Sequence, residues 1–402
     1  MTDDRGPRPG DGPVIPDPTD PDTFATAYRR ATVREKGNYF EDFHEGQTIR
    51  HAPGLRLTRD GAELWTSQTL NHDPAYWRTD AARERGFDEP PIHPDYLLAC
   101  TMGPSVEDLS EKGGYFLGRT DVTFGTDAVY AGTDLRVESA VVDTRTSSSR
   151  PNYGIVTWET TNYDADTDEK LCGYRRTNMV PRREPATGAG EEGDISKQST
   201  DDTTDESTDD DTTDRSESAT SASEEPTRTG DGATGDRVPF LVPDGPYFED
   251  FRDALDRADD RNRIVAYRHE HGRTMDDTLV SVLPLRTLNT ARQHHDANAM
   301  ADAPSGDVVA YGDVTRSIAL GHARSDEATY REVGSRDETF HEFVTLGDTV
   351  YGFTRVLDAT EDGAFPGESA VGTVEFEHVA VNQHDRPLYS GHRTAAIRRR
   401  DA

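Results

Sequence analysis

Tyr39-Phe40-Glu41-Asp42-Phe43 recurs residue for residue as Tyr247-Phe248-Glu249-Asp250-Phe251, and this repetition decides how the chain is read. Further landmarks follow in the same order. The turn and strand Gly132-Thr133-Asp134-Leu135-Arg136-Val137 is echoed by Gly347-Asp348-Thr349-Val350-Tyr351-Gly352. Each half then closes on a basic strand, Tyr174-Arg175-Arg176-Thr177-Asn178-Met179-Val180 and Gly391-His392-Arg393-Thr394-Ala395-Ala396-Ile397. One five-residue match can be chance; three landmarks in one order mark an internal duplication. Between the halves, Glu191 to Asp236 is built from Asp, Thr, Ser, Glu and Gly, with Ile195 its only large apolar residue. Such a tract cannot offset its own ordering entropy, so it reads as a passive spacer, with a phospho-acceptor tract as the second reading. The expected organisation is a disordered acidic tail over 1–36, a first unit over 37–185, a disordered acidic linker over 186–240 and a second unit over 241–402.

Each half reads as helices followed by a run of strands. Thr58 can cap a helix over 59–70, and Pro74 can open another toward Arg85. Tyr96-Leu97-Leu98-Ala99-Cys100-Thr101-Met102 is apolar on all sides and predicts a buried helix. Strands are expected over 119–130, 133–144, 153–164 and 170–182, where Leu135, Val137, Ser139 and Val141 alternate with more polar neighbours. The second half repeats the pattern, with a helix over 275–288, another from Asp313 to Ala323, and strands near 337–345, 348–358, 370–382 and 387–399. Antiparallel strands wrapped around one buried helix, twice over, give an α+β fold.

Asp and Glu exceed Lys and Arg, 77 to 44, for a net charge of −33. Residues 186–236 hold sixteen acidic and three basic side chains, a net −13, which leaves −20 on the remainder. This balance repels nucleic acid and anionic membranes, so neither is an expected partner. Lysine occurs only at positions 36, 112, 170 and 197, against 40 arginines, a usage that suits a cytosol at molar salt. Cys100 and Cys172 have no CxxC spacing, the acidic, Pro- and Gly-rich stretch from Met1 to Thr23 has neither the basic nor the apolar region of a secretory leader, so none is expected, and no apolar stretch approaches the 18 residues of a membrane span. A cytoplasmic location is expected. The histidines at 44, 51, 93, 269, 271 and 378 lack metal-ligand spacing, and neither GxGxxG nor GxxxxGK[ST] occurs, so neither a metal nor another cofactor is expected.

A central apolar helix wrapped by an antiparallel sheet, duplicated in one chain, resembles the double hotdog fold of the MaoC-like hydratases. Within that class the chain is similar to the mesaconyl-CoA (2-methylfumaryl-CoA) hydratases of halophilic archaea. The resemblance rests on Gly37 to Phe43 with Gly46-Gln47-Thr48-Ile49-Arg50-His51, on Pro91-Ile92 with Asp95-Tyr96-Leu97-Leu98, and on Gly103 to Asp108. In the second half it rests on Asn289-Thr290-Ala291-Arg292-Gln293-His294 and on Gly347 to Tyr351. It covers about 37–184 and 245–400. It implies reversible hydration of an α,β-unsaturated acyl-CoA, here mesaconyl-CoA to β-methylmalyl-CoA, within a glyoxylate-forming acetyl-CoA assimilation route. The expected partners are the acyl-CoA substrate and, at most, a second copy of the chain in a homodimer. Two other readings stay open: an acyl-CoA thioesterase on the same fold, and a noncatalytic acyl-CoA-binding protein.

Hydration requires a group to activate water, a group to move the α-proton, and donors for the thioester oxygen. MaoC-like hydratases supply the first two as Asp-x-Asn-Pro-x-His, and the resemblance places that spacing on Asn289 to His294. It implies His294 as the acid/base. Asn289 departs from the pattern and can only orient, which leaves Asp296 as the candidate second group. In the first half the spacing falls on Asn71 and Tyr76, so that half is expected to bind without catalysing, and Asp73 reads as a helix cap. The oxyanion donor is expected at the junction Tyr311-Gly312-Asp313, where a helix begins; Gly312 either admits the thioester or permits a tight turn, and Tyr311 lines the substrate. With lysine scarce, the second carboxylate of mesaconyl-CoA needs an arginine, and two lie close in sequence to the expected site: Arg292, two residues before His294, and Arg316, one turn into the helix that begins after Gly312.

Overall fold

The computed structural model describes residues 17–125, 128–184, 240–260, 262–361 and 370–400. The acidic linker, apart from Phe240, and the tail before residue 17 lie outside the described residues. Within the expected tail the chain forms a helix, Pro21–Arg30, which Asp20 caps by accepting from the Thr23 N–H and which buries no residue. Asn38–Ala402 forms a separate compact unit.

In this unit the strands are β1 (Thr48–Arg56), β2 (Tyr115–Phe124), β3 (Asp134–Thr146), β4 (Tyr153–Asp164), β5 (Lys170–Pro181), β6 (Phe240–Leu241), β7 (Ile264–Arg268), β8 (Arg273–Thr274), β9 (Thr329–Phe340), β10 (Thr349–Thr360), β11 (Val371–Val381) and β12 (Pro387–Arg398). Among the described residues they join one sheet in the order β1-β3-β4-β5-β2-β9-β12-β11-β10-β7-β6, with β8 beside β10. The first half contributes β1-β3-β4-β5-β2 and the second repeats it in mirrored order as β9-β12-β11-β10-β7. The halves meet where β2 pairs antiparallel with β9, Arg119 opposite Glu338.

Each half wraps its sheet around one helix. Pro94–Met102 is buried along its whole length, with Pro at its first turn and the His93 ring accepting the Asp95 N–H as cap. Gly312–Ser325 is its counterpart and packs on β10, β11 and β12. Residues from both helices share one apolar core with Trp65, Val122, Tyr174 and Tyr389. The two helices also pack end against neighbour: a Cβ on Gly103 would lie 1.7 Å from the Thr287 carbonyl oxygen, and one on Gly321 would lie 2.2 Å from that of Thr69. Only glycine permits either approach.

The duplication extends to polar side chains that the repeat pattern does not single out. His51 bridges Asp108 (2.7 Å) and Ser139 (2.8 Å) in the first half. In the second, His269 bridges Asp326 (3.2 Å) and Thr354 (2.9 Å) at the matching places. The opening pentapeptides diverge instead. Asp42 and Asp250 each accept the N–H of the tyrosine three residues before, at 2.9 and 3.0 Å, but the first nucleates one 3-10 turn, Phe40–Asp42, and the second a helix, Phe248–Asp259. The residues C-terminal to each pentapeptide set the difference: His44-Glu45-Gly46 stops the turn, whereas Arg252 to Ala258 continues with helix formers and buries Ala254 and Ala258.

Candidate active site

Leu288 takes a left-handed backbone (φ 63°), as Leu70 does in the first half (φ 59°), and this bend directs the segment after each leading helix back over the sheet. Asn289 follows, buried, with its Oδ1 accepting the Ala291 N–H at 3.2 Å. One 3-10 turn, Arg292–His294, then brings His294 inward. The imidazole is buried, and its Nδ1 lies 2.7 Å from the Val309 carbonyl oxygen. That carbonyl can only accept, so Nδ1 carries the hydrogen and Nε2 keeps its lone pair. Burial pushes the His294 pKa down to about 4, against the opposing pull of the Val309 hydrogen bond. The ring is therefore neutral at pH 7, and Nε2 can take a proton.

Val309 leads directly to the start of the second central helix. The Tyr311 ring lies 5.7 Å from that of His294, and its hydroxyl donates to the Ala99 carbonyl of the first central helix at 3.3 Å. The N–H groups of Val314 and Thr315 turn back to the Tyr311 carbonyl, which leaves those of Gly312 and Asp313 as the donors at the helix start. A side chain at Gly312 would lie 2.6 Å from the Phe340 ring, so packing alone requires glycine there.

The structure separates the other residues expected at the site. Asp296 is exposed and caps the helix Ala297–Met300 through the Ala299 N–H at 3.0 Å. Arg292 is exposed on the turn that carries His294. Arg316, expected to be able to hold a substrate carboxylate, is instead buried with its guanidinium committed: Nη1 meets Asp95 at 2.5 Å, Nε meets Glu338, and Nη2 approaches Ser335 Oγ at 3.4 Å. It belongs to an ionic cluster across the seam of the two halves. There Arg119 reaches Asp313 and Glu338, each at 2.6 Å, and the Tyr389 hydroxyl donates to Glu338 at 2.9 Å. Burial would raise the Glu338 pKa, but the charges of Arg119 and Arg316 hold it at about 2. Sequence reasoning missed this cluster because Arg119 and Glu338 are 219 residues apart.

In the first half Tyr76 occupies the place of His294, with its ring 4.4 Å from that of His93. Asp73 accepts the Ala75 N–H at 3.1 Å and pairs with Arg85 at 2.7 Å, both side chains buried. Asp73→Ala is expected to lower the melting temperature, by about 3 kcal/mol of stability, because it strands the buried Arg85, while leaving turnover within a few-fold of wild type. Thermal melts and initial rates on one preparation check both parts.

A paired hotdog shell around two buried helices is the double hotdog architecture, shared with MaoC-like dehydratases. The putative MaoC-domain dehydratase of Chloroflexus aurantiacus superposes with a TM-score of 0.67 at 21% identity, over 92% of this chain and 100% of that one. A Mycobacterium tuberculosis protein described as a double hotdog fold gives 0.62 at 20% identity, over 90% and 98%. The chain belongs to the mesaconyl-CoA hydratase family: the sequence model of that name matches residues 17–399. The mesaconyl-CoA hydratase of Haloarcula marismortui is 59% identical over 385 residues, 95% of this chain and 97% of that protein.

Proposed function

We propose that the chain adds water reversibly across the double bond of mesaconyl-CoA, giving β-methylmalyl-CoA, at the His294 site of the second half. The observation that carries this reading is the buried, neutral imidazole, with Nδ1 tied to Val309 and the lone pair on Nε2, which the Gln293 side-chain nitrogen approaches at 3.5 Å. His294 Nε2 takes a proton from water as the oxygen bonds to the β-carbon. The π electrons move toward the thioester oxygen, where the Gly312 and Asp313 N–H groups and the helix dipole stabilise the developing enolate. The imidazolium then returns its proton to the α-carbon, so one water is added and His294 is regenerated. Asn289 has no proton to exchange and orients the reacting water. Tyr311 walls the site, and Arg292 adds positive charge on the same turn. Asp296, engaged as a cap, has no part in proton transfer.

Incubation with mesaconyl-CoA tests the reading. Loss of enoyl-thioester absorbance without thiol release supports hydration, thiol release supports thioester hydrolysis, and neither supports binding alone.

The proposed setting is a salt-rich cytosol and a glyoxylate-forming acetyl-CoA assimilation route; 4 lysines against 40 arginines and the net charge of −33 support the first part. Self-repulsion on this scale needs screening, and the Debye length falls from about 10 Å at 0.1 M salt to about 3 Å at 1 M. The melting temperature is expected to rise by at least about 10 °C in KCl over that range. A salt-independent melt would remove the halophilic setting.

A further inference from the structure

Arg176 and Arg393 occupy matching positions on β5 and β12, and among the described residues only Arg393 meets an acid. Arg393 is fully buried and held by Glu327 at 2.8 Å and by both oxygens of Glu332 at 2.8 and 2.9 Å. Arg176 is as deeply buried, at 1% exposure, and its Nε and Nη2 meet no acceptor among the described residues. The acids are missing by substitution. Leu109 follows Asp108 as Glu327 follows Asp326, and Phe116 pairs with Asn178 as Glu332 pairs with Ala395. A guanidinium cannot shed its proton, so a buried one without an acid calls for an anion from elsewhere.

The surroundings are built for one. Strand alternation puts Tyr174, Arg176 and Asn178 on the inner face of β5, and Trp158, paired with Arg176 across β4, lies 5.3 Å below the guanidinium. Tyr174 OH, Trp158 Nε1 and Asn178 Oδ1 are also buried without a protein partner among the described residues. The charge of neighbouring Arg119 is already taken up by Asp313 and Glu338. The cluster reaches the start of the second central helix by contact: Asn178 pairs with Phe116, the Phe116 ring lies 5.2 Å from Phe340, and Phe340 is the ring against Gly312. Tyr174 and Tyr311 share one core.

We propose that Arg176, supported by Tyr174 and Trp158, binds the second carboxylate of the substrate and so selects a dicarboxylic acyl-CoA; this rests on the hydratase reading above. The first half then supplies specificity to a site whose acid/base lies in the second. The test compares mesaconyl-CoA with crotonyl-CoA, which lacks that carboxylate, using kcat/KM for each or the inhibition constant of crotonyl-CoA if it is not turned over. Arg176→Gln is expected to lower kcat/KM for mesaconyl-CoA by about 10- to 150-fold, the span of a charged hydrogen bond, with crotonyl-CoA changed less than about 3-fold. Equal losses on both, or no loss on either, overturn the assignment. If Arg176→Gln does not fold, Arg176→Lys keeps the charge and loses the fork, and the same discrimination is expected at smaller size. A wild-type protein that hydrates neither substrate would instead refute the hydratase reading itself.

Discussion

His294→Gln is expected to lower kcat for mesaconyl-CoA by about 10²- to 10⁴-fold, with KM changed only a few-fold and the melting temperature near wild type. Glutamine keeps a polar group near the Val309 carbonyl but cannot carry a proton between water and the α-carbon. The wild-type pH profile adds an independent sign. Burial holds the His294 pKa at about 4 rather than the ordinary 6.5, and the base must be neutral to act, so the acid limb of kcat/KM should fall near pH 4. Folding has the same direction. The unfolded chain binds this proton more readily, so the contribution of His294 to stability is full above about 6.5 and is lost as the pH falls through 4. A variant with wild-type kcat, or an acid limb at 6.5 that persists in the variant, would take the proton transfer away from this residue.

His294 enters the sequence reading through the family resemblance, and the contacts that set its tautomer are local. The Asn289 to His294 spacing is one turn of chain, and the Val309 carbonyl that fixes its tautomer lies only fifteen residues on. The buried helices are legible for a similar reason, since an apolar run such as Tyr96 to Met102 announces burial without reference to anything distant. Strand β1 escapes a sequence reading because it is short of apolar residues and holds Pro53 and Gly54, which read as a turn. The helix Phe248–Asp259 escapes it because its opening pentapeptide is shared with a segment that makes only one 3-10 turn, so the repeat itself hides the difference. Ionic partners are the least legible. Arg316 lies one turn into the helix beside His294, and nearness in sequence suggests nearness to substrate, yet on a helix the start is shared by residues facing different ways. Gly312 faces Phe340, while Arg316 faces the seam and meets Asp95, 221 residues away. Arg176 carries a signal of its own. It stands in the closing landmark opposite Arg393, and only the contrast between what each half places around that shared arginine exposes the missing acids.

Arg316→Met is expected to cost about 3–5 kcal/mol of stability, the usual scale for breaking one side of a buried ion set, and to appear as a large drop in melting temperature rather than a selective loss of mesaconyl-CoA. Removing the guanidinium takes one of the two arginines away from three buried carboxylates, Asp95, Asp313 and Glu338, of which Arg119 meets Asp313 and Glu338. Methionine fills part of the volume but can neither donate to Asp95 nor offset the charge of Glu338. Glu338 shows what the arginines contribute. Burial alone would push its pKa up, and with Arg119 and Arg316 in place it sits at about 2, so its share of stability is present above the ordinary 4.5 and lost only as the pH falls through 2. In Arg316→Met that carboxyl should titrate higher, which moves acid unfolding toward neutral pH. Adding Asp95→Asn to Arg316→Met should recover part of the loss, because the second change removes the charge that the first one strands. In the proposed mechanism the seam also bears on the site, since Arg119 holds Asp313, one of the two residues whose N–H groups open the second central helix. Partial recovery of stability should therefore bring partial recovery of turnover on every acyl-CoA tested. An Arg316→Met protein with a wild-type melt and a KM raised only for mesaconyl-CoA would reverse the assignment, making Arg316 the carboxylate clamp and leaving the seam without a structural role.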